Sequence, residues 1–190
     1  MRTFIAIPIP EEILVFLCGI QNQIRHKGLK ASWIKSTSMH LTLRFFGDIG
    51  QDDIKAIIKA MDSTAVGCRP FSLSARGLGV FPGVKKPRVI WSGVKGQVDQ
   101  LQELKRKLET NLVNVGFKGD KSRFSPHFTI GRFKGAVDSR TVINDILIFQ
   151  NHTSKECMIR SMVLYKSDLK PSGAVHTPLF ESLLSGMASR

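Results

Sequence analysis

A chain of 190 residues, 42% of them hydrophobic, is long enough to bury one core and carries no low-complexity tract that favours disorder. Its apolar stretch Ile13–Ile20, broken by Gly19, falls far short of the roughly 18 residues a membrane span needs. Met1–Pro8 runs into Glu11 and Glu12 without a signal-peptide layout, so a cytoplasmic protein with no membrane partner is expected.

Lys and Arg number 28 against 15 Asp and Glu, giving a net charge of +13, a field that draws in polyanions. Basic groups recur at Arg25/Lys27/Lys30, Lys85/Lys86/Arg88, Lys105/Arg106/Lys107 and Lys118/Lys121/Arg123, and the third of these is expected to line a solvated helix face. A nucleotide or nucleic-acid partner fits this charge better than a neutral metabolite does. Cys18, Cys68 and Cys157 are scattered, in neither disulfide nor zinc-ligand spacing, so reduced thiols are expected.

In chain order, Phe4–Ile7 reads as a strand closed by Pro8 and Pro10. Ile13, Leu17, Ile20 and Ile24 then fall at helical spacing, predicting a helix over 11–26 with Gly28 as its stop. A strand over 39–46 follows. A second helix carries Ile54, Ile57, Ile58 and Met61 on one stripe, with Asp52 and Asp53 at its positive end. Phe71–Ala75 alternates as a strand, and the run Gly77, Gly79, Pro82, Gly83, Pro87 reads as a broken connection.

Arg88–Val94 is another strand. Leu101, Leu104, Leu108, Leu112 and Val115 predict a third helix, and a further strand spans about 125–132. A fourth helix is expected within 139–149, a last strand over 157–166, and a Pro/Gly-rich tail around 171–178. The order strand, helix, strand, helix occurs twice. Such a mixture, without a sustained βαβ run, predicts an α+β fold of largely antiparallel sheets in two lobes with a groove between them.

The repeated strand carries the chemistry. Ser38-Met39-His40-Leu41-Thr42-Leu43 and Ser125-Pro126-His127-Phe128-Thr129-Ile130 share one pattern, their histidines 87 positions apart (40 and 127). In a strand, His and Thr two residues apart face the same way while the apolar residues between them enter the core. A single such pattern is an ordinary strand, but two in corresponding places supply a pair of imidazoles and a pair of hydroxyls.

Opening a cyclic phosphate needs a base for water and an acid for the departing sugar oxygen, on opposite sides of phosphorus. Histidine, with an ordinary pKa near 6.5, suits either role, and Thr42 and Thr129 can donate to the non-bridging oxygens. No metal or cofactor is called for: neither motif has a carboxylate or cysteine at ligand spacing. Ser38 and Ser125 lack the glycine-flanked elbow of a nucleophile.

Strict alternation turns Arg132, five positions after His127, away from the site unless a bulge intervenes, whereas Arg44 is in phase with His40 and Thr42. Trp33 and Trp91 are candidates for base stacking, although core packing is the ordinary use of indoles. His26 reads as a helix-end interaction. His152 and His176 gain no role from their spacing.

The two motifs, with Arg2–Ile7, Trp33, Phe46-Gly47, Gly77–Pro82, Arg88–Trp91, Arg123–His127 and Leu164–Ser167, resemble the RNA 2′,3′-cyclic phosphodiesterases (2′-5′ RNA ligases) of the 2H phosphoesterase superfamily. The resemblance covers nearly the whole chain. It implies one domain over 1–190 made of two interlocked pseudo-symmetric lobes, helices outside and a basic cleft within.

By the same resemblance, His40 would protonate the leaving oxygen and His127 would activate water, with Thr42, Thr129 and Arg132 holding phosphate oxygens. The implied substrate is RNA with a 2′,3′-cyclic phosphate end, the product a 2′-phosphate, and 2′-5′ ligation the related reaction. A monomer without cofactor is expected. Where members of the family often carry Tyr, this chain has His176. The competing readings are a non-catalytic RNA-binding protein and a phosphodiesterase acting on small cyclic nucleotides.

Overall fold

The computed structural model describes residues 1–171 and 173–186. Two antiparallel sheets lie with helices on their outer faces. The first has the order β3-β1-β8-β9, built from β3 (His40–Asp48), β1 (Arg2–Pro8), β8 (Ser161–Lys170) and β9 (Gly173–Leu183). The second has the order β2-β6-β5-β4-β7, built from β2 (Ala31–Trp33), β6 (His127–Phe133), β5 (Val89–Gly96), β4 (Phe71–Phe81) and β7 (Cys157–Ile159). The halves correspond: β1 reaches its partner β3 through α1 (Glu11–His26), and β5 reaches its partner β6 through α3 (Val98–Asn114).

Each helix forms where an apolar stripe can be buried. Ile13, Leu17, Ile20 and Ile24 of α1 are buried on one face, with Glu11 and Glu12 in its first turn and Arg25 and His26 in its last, both matching the helix dipole. Ile57, Ala60, Met61 and Ala65 of α2 (Gln51–Val66), and Leu101, Leu104, Leu108 and Leu112 of α3, do the same. Their core partners on the sheets include Ile5, Ile7, Leu41, Leu43, Ile90, Phe128 and Ile130. The opposite, concave faces of both sheets are left for the site.

Three expectations from the sequence are corrected. The glycine run from Gly77 does not break the chain, because β4 continues through it to Phe81. Gly79 is required there by contact: a Cβ on it would run into the Trp91 ring. The expected last strand is two, β7 joining one sheet and β8 the other, with Arg160 between them. The supposed tail is β9, paired along β8. The fourth helix lies within the expected 139–149, as α4 (Ser139–Asp145) followed by a single 3₁₀ turn at Leu147–Phe149.

β3 and β6 lie side by side although they belong to different sheets. A polar clasp spans this seam. Arg44 of β3 places Nη1 3.2 Å from Glu109 Oε2 and 3.4 Å from Asp120 Oδ2, and its Nη2 donates to the Lys118 carbonyl at 2.7 Å. Lys105 pairs with the same two carboxylates. Two cations therefore balance two anions, and Asp120 leads into the segment ending at His127.

Lys105 is only 7% exposed, so the expectation that it lines a solvated face fails at that residue, while Arg106 and Lys107 pair with Glu103 at the surface. Removing one member of a well-shielded quartet leaves an opposite charge without its partner, at a cost of about 3 kcal/mol. Arg44→Met is expected to lower the unfolding free energy by about that much, measured by denaturant titration.

Candidate active site

Each motif histidine is held in the same way. His40 Nδ1 donates to the Ser38 carbonyl at 2.9 Å, and His127 Nδ1 donates to the Ser125 carbonyl at 2.7 Å. A carbonyl oxygen only accepts, so Nδ1 carries the proton in both neutral rings and Nε2 keeps a free lone pair. Neither Ser38 nor Ser125 contributes its hydroxyl to this hold. Each lends its backbone, and Ser38 Oγ donates instead to the Ala174 carbonyl at 3.1 Å.

Register fixes what shares the faces with these rings. Thr42 stands opposite Ala6, and His40 opposite Pro8, on the first sheet. On the second, His127, Thr129 and Arg132 stand opposite Gly93, Trp91 and Val89. Paired residues face the same way and alternate along β5, so His127, Thr129 and Arg132 all face the cleft.

Arg132 gets there by a bulge. Trp91 pairs with Thr129 and Ile90 with Gly131, leaving Ile130 unpaired and reversing the alternation beyond it. Gly131 accommodates the bulge because a Cβ there would crowd the Trp33 ring at 3.1 Å and Ile90 at 3.4 Å. The family-based placing of Arg132 therefore agrees with the fold, and the one based on alternation does not.

The same device moves Arg44 the other way. Ala6 pairs with Thr42 and Ile5 with Arg44, leaving Leu43 unpaired, so Arg44 leaves the face of His40 and enters the clasp. The expectation that Arg44 joins the site is overturned. The residue taking the cleft face after this bulge is Phe45, which is 55% exposed.

Aromatic rings back both histidines. Phe4 lies 4.6 Å from the His40 ring and 5.3 Å from Tyr165, stacked on the latter at 20°. Phe81 meets the His127 ring edge-on at 5.1 Å and stacks on Trp91 at 4.9 Å. Trp91 thus floors the cleft, with Nε1 buried and unpartnered among the described residues, while Trp33 packs against the core side. His26 Nδ1 bonds the Asn22 carbonyl at the helix end, as expected. His152 lies beside Phe149, away from the motifs.

His176 is the residue that spacing missed. It sits 5.1 Å from the His40 ring, at 85°, and 4.8 Å from Phe4. No sequence signal marked it apart from the departure from Tyr in the family resemblance. Burial, against the pull of the Ser38 carbonyl, lowers the His40 pKa from 6.5 to about 4, and the charges of His176 and His127 push in the same direction. Burial also lowers the His176 pKa. Among the described residues no three His, Cys, Asp or Glu side chains converge as metal ligands would.

The family described as LigT like Phosphoesterase matches residues 7–91. The chain is 33% identical over 187 residues to a protein of Thermotoga maritima named RNA 2′,3′-cyclic phosphodiesterase, covering 98% of this chain and 97% of that one. It is 30% identical over 179 residues to the protein of the same name from Methanothermobacter thermautotrophicus, covering 94% and 96%. The chain belongs to the LigT-like phosphoesterases of the 2H superfamily.

The fold of this LigT-like phosphoesterase matches a crystal structure from Thermus thermophilus with a TM-score of 0.82 at 25% identity, over 99% of this chain and 100% of that one. E. coli LigT, solved with 3′-AMP, shares the fold at a TM-score of 0.66 and 22% identity, over 97% and 98% of the two chains. The α+β architecture of two antiparallel sheets is thus the family's own. No helix among the described residues is long and apolar enough to cross a membrane.

The depressed His40 pKa has a signed consequence for this phosphoesterase. Between pH 6.5 and about 4 the unfolded imidazole takes up a proton that the folded one refuses, so stability is full above pH 6.5 and is lost as pH falls towards 4. His176 acts in the same direction. His40→Gln is expected to flatten the pH dependence of the unfolding free energy across that window, measured by denaturant titration at a series of pH values.

Proposed function

We propose that this protein is a metal-independent RNA 2′,3′-cyclic phosphodiesterase in which His40 and His127 act as an acid/base pair on one phosphorus. The observation that carries the reading is the duplicated hold on the two imidazoles, each anchored at Nδ1 by the carbonyl two residues upstream on neighbouring strands. Two identically oriented proton-transfer groups facing one cleft are what an in-line displacement requires, and pure RNA binding has no use for them. The names of the Thermotoga and Methanothermobacter relatives support the same substrate.

In this reading a cyclic phosphate end lies between the motifs, its non-bridging oxygens taking hydrogen bonds from Thr42 and Thr129 and a bidentate fork from Arg132. His127 Nε2 draws the proton from water as the oxygen attacks phosphorus. The P–O3′ bond breaks on the far side, and His40 Nε2 supplies the proton to O3′. The product is a 2′-phosphate with a free 3′-hydroxyl. Attack by a 5′-hydroxyl in place of water gives a 2′-5′ linkage, the ligation counterpart.

His40 must be charged to act as the acid, yet with a pKa of about 4 it is mostly neutral at neutral pH. Raising its pKa by about three units takes about 4 kcal/mol. One anionic phosphate about 4 Å away supplies roughly that amount at a protein-surface dielectric. Substrate binding and proton uptake are therefore coupled: the same anion that is to be cleaved arms the acid.

The test is incubation of an oligoribonucleotide bearing a 2′,3′-cyclic phosphate in EDTA, followed by assignment of the phosphate position. A 2′-phosphate is expected. A 3′-phosphate would reverse the leaving group, and loss of turnover in chelator would remove the metal-free mechanism. His40→Ala and His127→Ala are each expected to lower kcat by at least about 10²-fold while RNA affinity is largely kept.

A further inference from the structure

A row of four residues crosses the concave face of the first sheet: Thr42 on β3, Ala6 on β1, Val163 on β8 and Glu181 on β9, each opposite the next. Only its ends are polar; the middle is a methyl group and an isopropyl group. An open hollow of about 410 Å³ lies over the Val163–Glu181 half of this row, with Pro8, Tyr165 and Pro178 also lining it. Pro8 stands opposite His40, so the hollow begins where the proposed phosphate position ends. Tyr165 and Pro178 face each other across the strand pair, and Tyr165 is braced from behind by its stack on Phe4.

Glu181 is out of keeping with a site for anions. In a chain of net charge +13 built to attract phosphate, a carboxylate on the cleft face repels the reacting group. A neutral donor edge is the partner such a carboxylate suits. The geometry points to a nucleobase subsite in this hollow, selective for guanine, in which Glu181 accepts from N1–H and N2–H of the base attached to the reacting ribose. The inference rests on the proposed reaction for where the phosphate lies.

The distances suit this. Thr42 and Glu181 are three strand spacings apart, roughly 14 Å, a span that a ribose, a purine and an extended glutamate side chain fill between them. The selectivity follows from hydrogen-bonding chemistry. A carboxylate is acceptor-only and takes two parallel donors best. Guanine offers two adjacent donors. Adenine and cytosine set a ring-nitrogen lone pair beside their amino group, and uracil flanks its single N–H with two carbonyls, so each of the three presents a repulsive atom. Tyr165 feels the Glu181 charge, which adds to burial in raising its pKa, so the two groups lie within electrostatic reach of each other.

The test uses four short oligoribonucleotides with 2′,3′-cyclic phosphate ends that differ only in the terminal base, together with calorimetric binding of guanosine and uridine 2′-monophosphates. Wild type is expected to favour the guanosine end over uridine by about tenfold in kcat/KM. Glu181→Ala removes the preference by lowering the guanosine rate and raising the uridine rate as its repulsion is relieved; Glu181→Gln, keeping one acceptor, falls between.

Hydrolysis without base preference, or a preference that survives Glu181→Ala, overturns the subsite. Absence of hydrolysis alongside Glu181-dependent tighter binding of the guanosine monophosphate overturns the reaction and upholds the subsite. Absence of both overturns the two together. Glu181 is exposed, so its replacement leaves the fold intact.

Discussion

A backbone carbonyl two residues before each motif histidine is the contact on which the site depends. It decides which ring nitrogen carries the proton, aims the other at the cleft, and does so with main chain that side-chain substitution hardly alters. Everything else keeps these two anchors in register. The strands that bear them share no ladder of hydrogen bonds, so their separation is set by the packed core beneath and by the Arg44 clasp at the seam. A charged quartet suits this task because it is directional. Apolar packing holds strands together but leaves their sliding less constrained than ion pairs to two carboxylates do.

How much of this was legible in the sequence depended on range. The helices were, because α1, α2 and α3 bury stripes that repeat at helical spacing within a single element. The paired motif was, because His40 and Thr42, like His127 and Thr129, need only the two-residue period of a strand to share a face. The first-half strands and the α+β class followed from the same local patterns.

Residues whose direction depends on a partner strand were not legible. The bulges at Leu43 and Ile130 exist only in the pairing with β1 and β5, so alternation alone placed Arg44 in the cleft and Arg132 outside it, the reverse of the structure. Gly79 looked like a break for a related reason: its lack of a side chain serves the Trp91 ring on the next strand, which no local rule detects. β9 was hidden by its Pro and Gly content, and with it went the placing of His176 against His40. Lys105 was misread because its partners lie partly beyond its own helix.

The matched bulges also give the cleft a polarity. Both fall three positions after a motif histidine, so a common backbone device turns one further side chain inward in each half: a guanidinium, Arg132, from one and a phenyl ring, Phe45, from the other. With identical residues there, the proposed substrate could enter in two poses related by a half-turn, each histidine serving either purpose. In the proposed reaction, a cation on one flank and an aromatic surface on the other remove that degeneracy and favour a single sense of entry. The two halves repeat one backbone hold on an imidazole, and Phe45 and Arg132 are among the residues that tell the halves apart.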